Sequence, residues 1–168
     1  MFIFSKKKNK EAFKDSPLKE LKAFLNGELM SLEEVGDGVF SEKMMGDGVA
    51  IKPTSEVLLS PAAGEIIVVM DESFHAVGMR LANGIELLLH IGLDTVGMNG
   101  VGFIPYVKVG DKVESGDKLI SFSKKAIEEH GYTDTTIMVI TNGHEYPNSS
   151  YHTSGTAYAG ETVIAVWE

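Results

Sequence analysis

Along most of this chain the apolar residues come in short runs separated by turn-forming residues roughly eight to twelve positions apart. Glu28–Val35, Val49–Ile51, Glu65–Met70, His75–Leu81, Ile85–Ile91, Thr135–Thr141 and Thr162–Trp167 read as strands. Asn26-Gly27, Pro53, Pro61-Ala-Ala-Gly64, Asp71–Phe74 and Asn83-Gly84 read as the breaks between them. Helical spacing is confined to Leu18–Leu25 and to Lys124–His130, which Gly131 stops. Gly-Asp turns at Gly110 and Gly116 divide Val107–Leu119 into short steps of a β-meander, and 142–153 reads as a polar loop. The pattern predicts an all-β fold, an antiparallel sandwich or barrel with short helical turns.

One hairpin organises the candidate chemistry. Asn83-Gly84 favours a tight turn because both residues accept φ > 0, so His75–Leu81 and Ile85–Ile91 are expected to pair antiparallel. His75 and His90 lie nearly equidistant from that turn, which places both imidazoles at one end of one sheet if they share a face. A second feature is the tetrapeptide Gly-Asp-Gly-Val, at 36–39 and again at 46–49. The loop between carries Val39, Phe40, Met44 and Met45, which are either tucked under the sheet or displayed as a contact patch.

Composition narrows the classes of function. The absence of cysteine excludes disulfides, thiolate metal sites and cysteine nucleophiles. The net charge of −9 is uneven: seven Lys against three acids give residues 1–22 a charge of +4, so the remainder carries −13. An acidic body argues against a nucleic-acid surface and suits a basic protein partner. The expected organisation is a flexible basic segment at 1–22 and one folded domain at 23–168. The segment is capable at most of weak contact with an anionic membrane. No apolar run approaches the roughly 20 residues of a transmembrane helix, and the chain is expected to be cytoplasmic.

Motifs for nucleotide binding, serine hydrolysis and zinc proteolysis are absent. What remains is His90, with His75, Ser73 and Asp94 nearby. Three readings stay open at this point. His90 can be a half-buried histidine of the core. It can be a phosphoryl-accepting nucleophile, one ring nitrogen free and the other held by a backbone carbonyl that Gly92 lets approach, with Ser73 donating to a phosphoryl oxygen. Or His75 and His90 can bind zinc, for which Asp94 must supply a third ligand. No other cofactor is implied.

Two long motifs then add a resemblance. Phe40-Ser-Glu-Lys-Met-Met-Gly-Asp-Gly-Val-Ala-Ile-Lys-Pro-Thr54 and Gly84-Ile-Glu-Leu-Leu-Leu-His-Ile-Gly-Leu-Asp-Thr-Val96 resemble the glucose-family IIA components of the bacterial phosphoenolpyruvate-dependent sugar phosphotransferase system. Weaker similarity at Gly102-Phe103, Gly110–Val113, Ser154-Gly155 and Gly160-Glu161 extends the resemblance over about residues 25–168. It implies a β-sandwich type 1 IIA domain that takes a phosphoryl group from the basic carrier HPr onto His90 and passes it to a IIB component, usually onto its cysteine, during sugar uptake. It implies that His75 supports transfer, that Ser73 keeps a hydroxyl where the family commonly has threonine, and that Asp94 lies beside the site. Val39, Phe40, Met44, Met45, Leu88 and Val96 fall where the family has an apolar ring that docks partners. The alternative is a regulatory IIA-like paralogue that docks target proteins according to its phosphorylation state.

Overall fold

The computed structural model describes residues 19–167. Of the expected basic segment, residues 1–18 lie outside that range, and its last four residues are part of the fold. Glu20–Lys22 form strand β1, where helical spacing had pointed to a helix. Its partner decides the outcome: β1 pairs antiparallel with the last strand, and Leu21, Ala23, Phe24 and Leu25 are all buried in the core.

The strands that follow are β2 (Gly27–Met30), β3 (Asp47–Pro53), β4 (Val57–Leu59), β5 (Gly64–Val69), β6 (Ala76–Leu81) and β7 (Glu86–Leu93). After them come β8 (Phe103–Pro105), β9 (Lys112–Val113), β10 (Lys118–Phe122), β11 (Thr133–Ile140), β12 (Ser149–Tyr151), β13 (Thr156–Ala157) and β14 (Val163–Trp167). The only α-helical segments among the described residues are α1 (Leu32–Val35) and α2 (Lys124–Glu129). The strand expected over 28–35 thus stops at Met30. There Ser31 caps α1, accepting from the Glu34 N–H while its hydroxyl donates to the Glu34 carboxylate, and Gly36 ends the helix at φ +69°. The loop expected at 142–153 contains β12 as well as a short 3-10 turn at Gly143–Glu145.

All pairings are antiparallel. Eight strands form one sheet in the order β13-β2-β3-β11-β7-β6-β5-β9, and two three-stranded sheets, β4-β10-β8 and β1-β14-β12, complete the fold. The arrangement is a sandwich and not a closed barrel. Period-two alternation divides β7 cleanly: Leu87, Leu89 and Ile91 enter the main core, where they meet Leu58, Phe103, Ile120 and Phe122 of the small sheet. Leu88 and His90 therefore project from the other face. There a second, smaller apolar cluster gathers Leu32, Phe40, Ala50, Ile137 and Val139 under the 31–45 segment.

The 82–85 turn departs from the mirror-image type expected of Asn-Gly. Only Gly84 has positive φ (+91°), while the Asn83 side chain accepts from the Ile85 N–H and its carbonyl from the Tyr146 hydroxyl. This turn sets Arg80 opposite Glu86, Gly78 opposite Leu88 and Ala76 opposite His90. His75 is thus one step beyond the residue that pairs with His90, not directly across from it.

Candidate functional site

His90 is held by its own strand end. The β7 backbone turns at Gly92, φ +76°, and brings the Gly92 carbonyl to 2.8 Å from His90 Nδ1. A carbonyl only accepts, so Nδ1 carries the proton and Nε2 keeps its lone pair. A Cβ at position 92 would lie 2.4 Å from the Thr95 methyl and 2.7 Å from the Thr133 carbonyl oxygen, so the close return of the chain requires glycine. Thr95 secures the same turn by donating its hydroxyl to the Ile91 carbonyl.

Two rings flank the imidazole. His75 meets it edge-on, centroids 4.6 Å apart and planes at 88°, and Phe40 lies at 5.1 Å and 57°. His75 reaches this position from outside β6 because the Asp71–Phe74 turn ends with Phe74 at φ +50°. Its ring is 3% exposed, and Nδ1 lies 2.8 Å from the hydroxyl of the equally buried Ser73. The two histidines and Ser73 named from the sequence therefore meet, by a bend in the loop and not by direct strand pairing.

Both imidazoles are held toward the neutral form. Burial, and secondarily the neighbouring His90, push His75 down to about 4. Burial also lowers His90, against the Gly92 carbonyl and the carboxylates of Asp37 and Asp94, which favour the charged ring. Two imidazoles in contact at neutral pH are thereby compatible, and His90 presents an uncharged Nε2.

Beside His90 opens a hollow of about 400 Å³, lined by Asp37, Phe40, Asp94, Val96 and Tyr132 among others. Asp94 is exposed at φ +61° where the chain enters a 3-10 turn over Thr95–Met98. Asp37, read from the sequence only as part of a turn, is one site residue missed. Its carboxylate accepts from the N–H groups of Val39 (3.2 Å), Phe40 (3.2 Å) and Ser41 (2.9 Å). Burial pushes this carboxyl up, but the three donors together hold it below the usual carboxylate range. The signal available was an Asp followed at once by a glycine and a bend, a sequence suited to capping its own loop. Tyr132, contributed by the turn after α2, was likewise not foreseen.

The six apolar residues separate. Val39, Met44, Met45 and Val96 are exposed, Met44 the most at 72%. Leu88 is half-buried, and Phe40, at 7% exposed, packs into the outer cluster while its ring lies against His90. Met44 and Met45 line a separate hollow of about 380 Å³ with Tyr146 and Tyr151. Lys43 bridges Glu33 of α1 (2.9 Å) and Asp47 of β3 (3.5 Å), tying this loop to the sheet. Among the described residues no group of three or more His, Asp or Glu side chains is placed to hold a metal ion. Nor is any helix among them long and apolar enough to cross a membrane.

Comparison with known proteins gives this geometry a context. The family model for the phosphoenolpyruvate-dependent sugar phosphotransferase system, EIIA 1, matches residues 19–146. A PTS system glucose-specific EIIA component of Halalkalibacterium halodurans is 43% identical over 165 residues, 98% of this chain and 94% of that protein. One from Bacillus anthracis is 44% identical over 140 residues, 83% of this chain and 84% of its own. Among solved structures, the glucose permease IIA from Mycoplasma capricolum superposes with a TM-score of 0.77 at 33% identity, covering 88% of this chain and 94% of that one.

Proposed function

The chain belongs to the EIIA type 1 family of the phosphoenolpyruvate-dependent sugar phosphotransferase system, and from that premise we propose that His90 is its phosphoryl-carrying residue. The Nε2 lone pair attacks phosphorus in the phosphorylated donor. The bond from phosphorus to the donor breaks as the bond to Nε2 forms, and Nδ1 keeps its proton throughout, donating it to the Gly92 carbonyl. The reverse displacement, with the nucleophile of a IIB component attacking, regenerates free His90. The observation that carries this reading is the pinned ring: one nitrogen is bonded to backbone and the other is left as an aimed, neutral nucleophile.

His75 is the supporting residue in this scheme. With the Ser73 hydroxyl donating to its Nδ1, His75 is fixed in the tautomer whose Nε2–H donates to a phosphoryl oxygen. Donors come from HPr and acceptors from IIB, as for the family. The exposed Val39, Met44, Met45 and Val96 form the apolar part of the docking face, Phe40 and Leu88 support it from beneath, and Asp37 and Asp94 supply the charge that draws a basic carrier. The glucose-specific names of the relatives support glucose as the sugar, and we place the relay in the cytoplasm, as is typical of the family.

The test is reconstitution with phosphoenolpyruvate, enzyme I and HPr. One acid-labile, base-stable phosphate per chain is expected, with none on His90→Ala. Undiminished labelling of that variant would move the acceptor elsewhere.

A further inference from the structure

Four Asn-Gly pairs occur in the chain, at 26–27, 83–84, 99–100 and 142–143. Such a pair carries a reaction of its own. The glycine backbone nitrogen attacks the asparagine Cγ, the bond from Cγ to the amide nitrogen breaks, and ammonia leaves with the proton of the glycine N–H. Water then opens the cyclic imide at one of its two carbonyls, giving aspartate or a β-linked isoaspartate. Glycine favours the attack because no Cβ shields its nitrogen.

The two reacting residues are the same at all four pairs, so the fold decides between them. A peptide unit is planar and turns as a whole, so a hydrogen bond at either its carbonyl or its N–H holds it in place. At Asn26 the carbonyl accepts from the Thr54 N–H at 2.8 Å, and Oδ1 accepts from the Ala159 N–H at 2.7 Å. At Asn83 the carbonyl accepts from the Tyr146 hydroxyl, the Gly84 N–H donates to the Leu81 carbonyl, and the buried side chain accepts from the Ile85 N–H. At Asn142 the carbonyl accepts from the Glu145 N–H, and both ends of the carboxamide are bonded, to the Glu86 N–H at 2.8 Å and to the Gly84 carbonyl at 3.1 Å. Asn99 differs on every count. Among the described residues neither its carbonyl nor the Gly100 N–H has a partner. Its side chain is exposed, and the bond it donates to the Gly97 carbonyl is stretched to 3.5 Å.

Asn99 closes the 3-10 turn at φ +52° and ψ +38°, which sets the Gly100 nitrogen on the far side of the Cα–C bond from the Asn99 Cβ. The peptide must rotate before attack, and of the four it alone is free to do so. We propose that Asn99 is a site of spontaneous deamidation, and that isoaspartate formed there loosens the seat of His75. The second half rests on the role given to His75 above; the first does not. A Cβ at Gly100 would collide with the Glu72 carbonyl oxygen and touch the Phe74 ring, so the 99–100 turn packs against the loop that carries Ser73 and His75. Isoaspartate routes the main chain through Cβ, which lengthens this turn by a methylene and leaves a carboxylate where the amide was neutral.

Peptide mapping by mass spectrometry on the full chain, kept warm at mildly alkaline pH, reads conversion at each pair as the mass gained when an amide nitrogen is replaced by hydroxyl. Conversion at Asn99 is expected to run several-fold faster than at the other three, with the four rates drawing together in urea. Four equal rates in the folded chain, another pair in the lead, or the same Asn99 lead in urea overturns the assignment, since the fold would not then select the site. Transfer to IIB from the purified phosphorylated chain reads the consequence. Aged wild type should slow in proportion to its isoaspartate content, while Asn99→Gly, which accepts φ > 0 without a carboxamide, ages without loss. Equal transfer from fresh and aged wild type overturns the link to His75 and leaves the mapping result standing. A fresh chain that takes no label from HPr removes the relay, and the link with it, without touching the mapping result.

Discussion

The Gly92 carbonyl accepts a hydrogen bond from His90 Nδ1 at 2.8 Å, two residues along the same chain. The nucleophile's tautomer is thus set by backbone geometry that one residue type permits. Gly92→Ala forces a side chain into φ +76° and against the Thr95 methyl and Thr133 carbonyl. Strain and overpacking together should destabilise the fold by about 2–4 kcal/mol in urea denaturation. Phosphoryl uptake should fall further than the unfolded fraction explains, because the ring loses its anchor. An Ala variant of wild-type stability and labelling rate would remove the anchor from the mechanism.

His75 acts on the group and does not carry it. His75→Gln keeps a side-chain N–H donor but loses the ring fixed by Ser73, so labelling by HPr should remain. Onward transfer to IIB should slow by roughly 10²-fold, the usual effect of losing one preorganised donor. Single-turnover transfer from the purified phosphorylated variant measures this, and an unchanged rate would take His75 out of the reaction.

The buried histidines also make stability depend on pH. His75 titrates near 4 when folded and near 6.5 when unfolded, so between those values the unfolded chain binds more protons. Stability is then complete above about pH 6.5 and falls with acidification at up to about 1.4 kcal/mol per pH unit for each such group. His90, lowered in the same direction, adds to the loss. Asp37 is lowered as a carboxylate, so its contribution persists above its unfolded value and is lost only at lower pH. His75→Gln should therefore flatten the stability profile between pH 6.5 and 4 and leave the more acidic limb in place.

How far this site was legible in the sequence depended on whether its geometry is local. The alternation of β7 and the turn signal at Asn83-Gly84 made the hairpin readable, and with it the approach of two histidines. Their true offset was not readable, because it follows from Asn83 spending its side chain on Ile85 N–H and from Phe74 adopting positive φ. Ser31 and Glu34 carried a readable cap that strand-like Glu28–Val35 obscured. Leu18–Leu25 misled for the opposite reason: its helical spacing was overridden by a strand partner nearly the whole chain away, Val163–Trp167. Asp37 was visible as a turn residue, but its position beside His90 depends on the 31–45 segment folding back over the sheet, which no local pattern encodes.

That same carboxylate gives a test of the loop. Asp37→Ala removes the acceptor for three backbone N–H groups, leaving those least exposed to water unpaired. A loss of about 1–3 kcal/mol is expected, together with faster hydrogen exchange at Val39, Phe40 and Ser41. Exchange unchanged at those amides would show that the loop is held by Phe40 packing and Lys43 bridging alone.

The apolar residues around the site divide by burial into two kinds with separable effects. Phe40 fills the outer cluster against Ala50, Ile137 and Val139, so Phe40→Ala should cost about 3–5 kcal/mol of stability as well as disturbing His90. Met44 is largely in solvent, so Met44→Lys should change stability by no more than about 0.5 kcal/mol. Its effect should fall on encounter: an added cation in a face that receives a basic carrier raises the KM for HPr several-fold and leaves the maximal labelling rate unchanged. Denaturation and HPr titration on both variants separate the roles. If Met44→Lys leaves the KM where it was, the exposed methionines are not part of the surface that HPr meets.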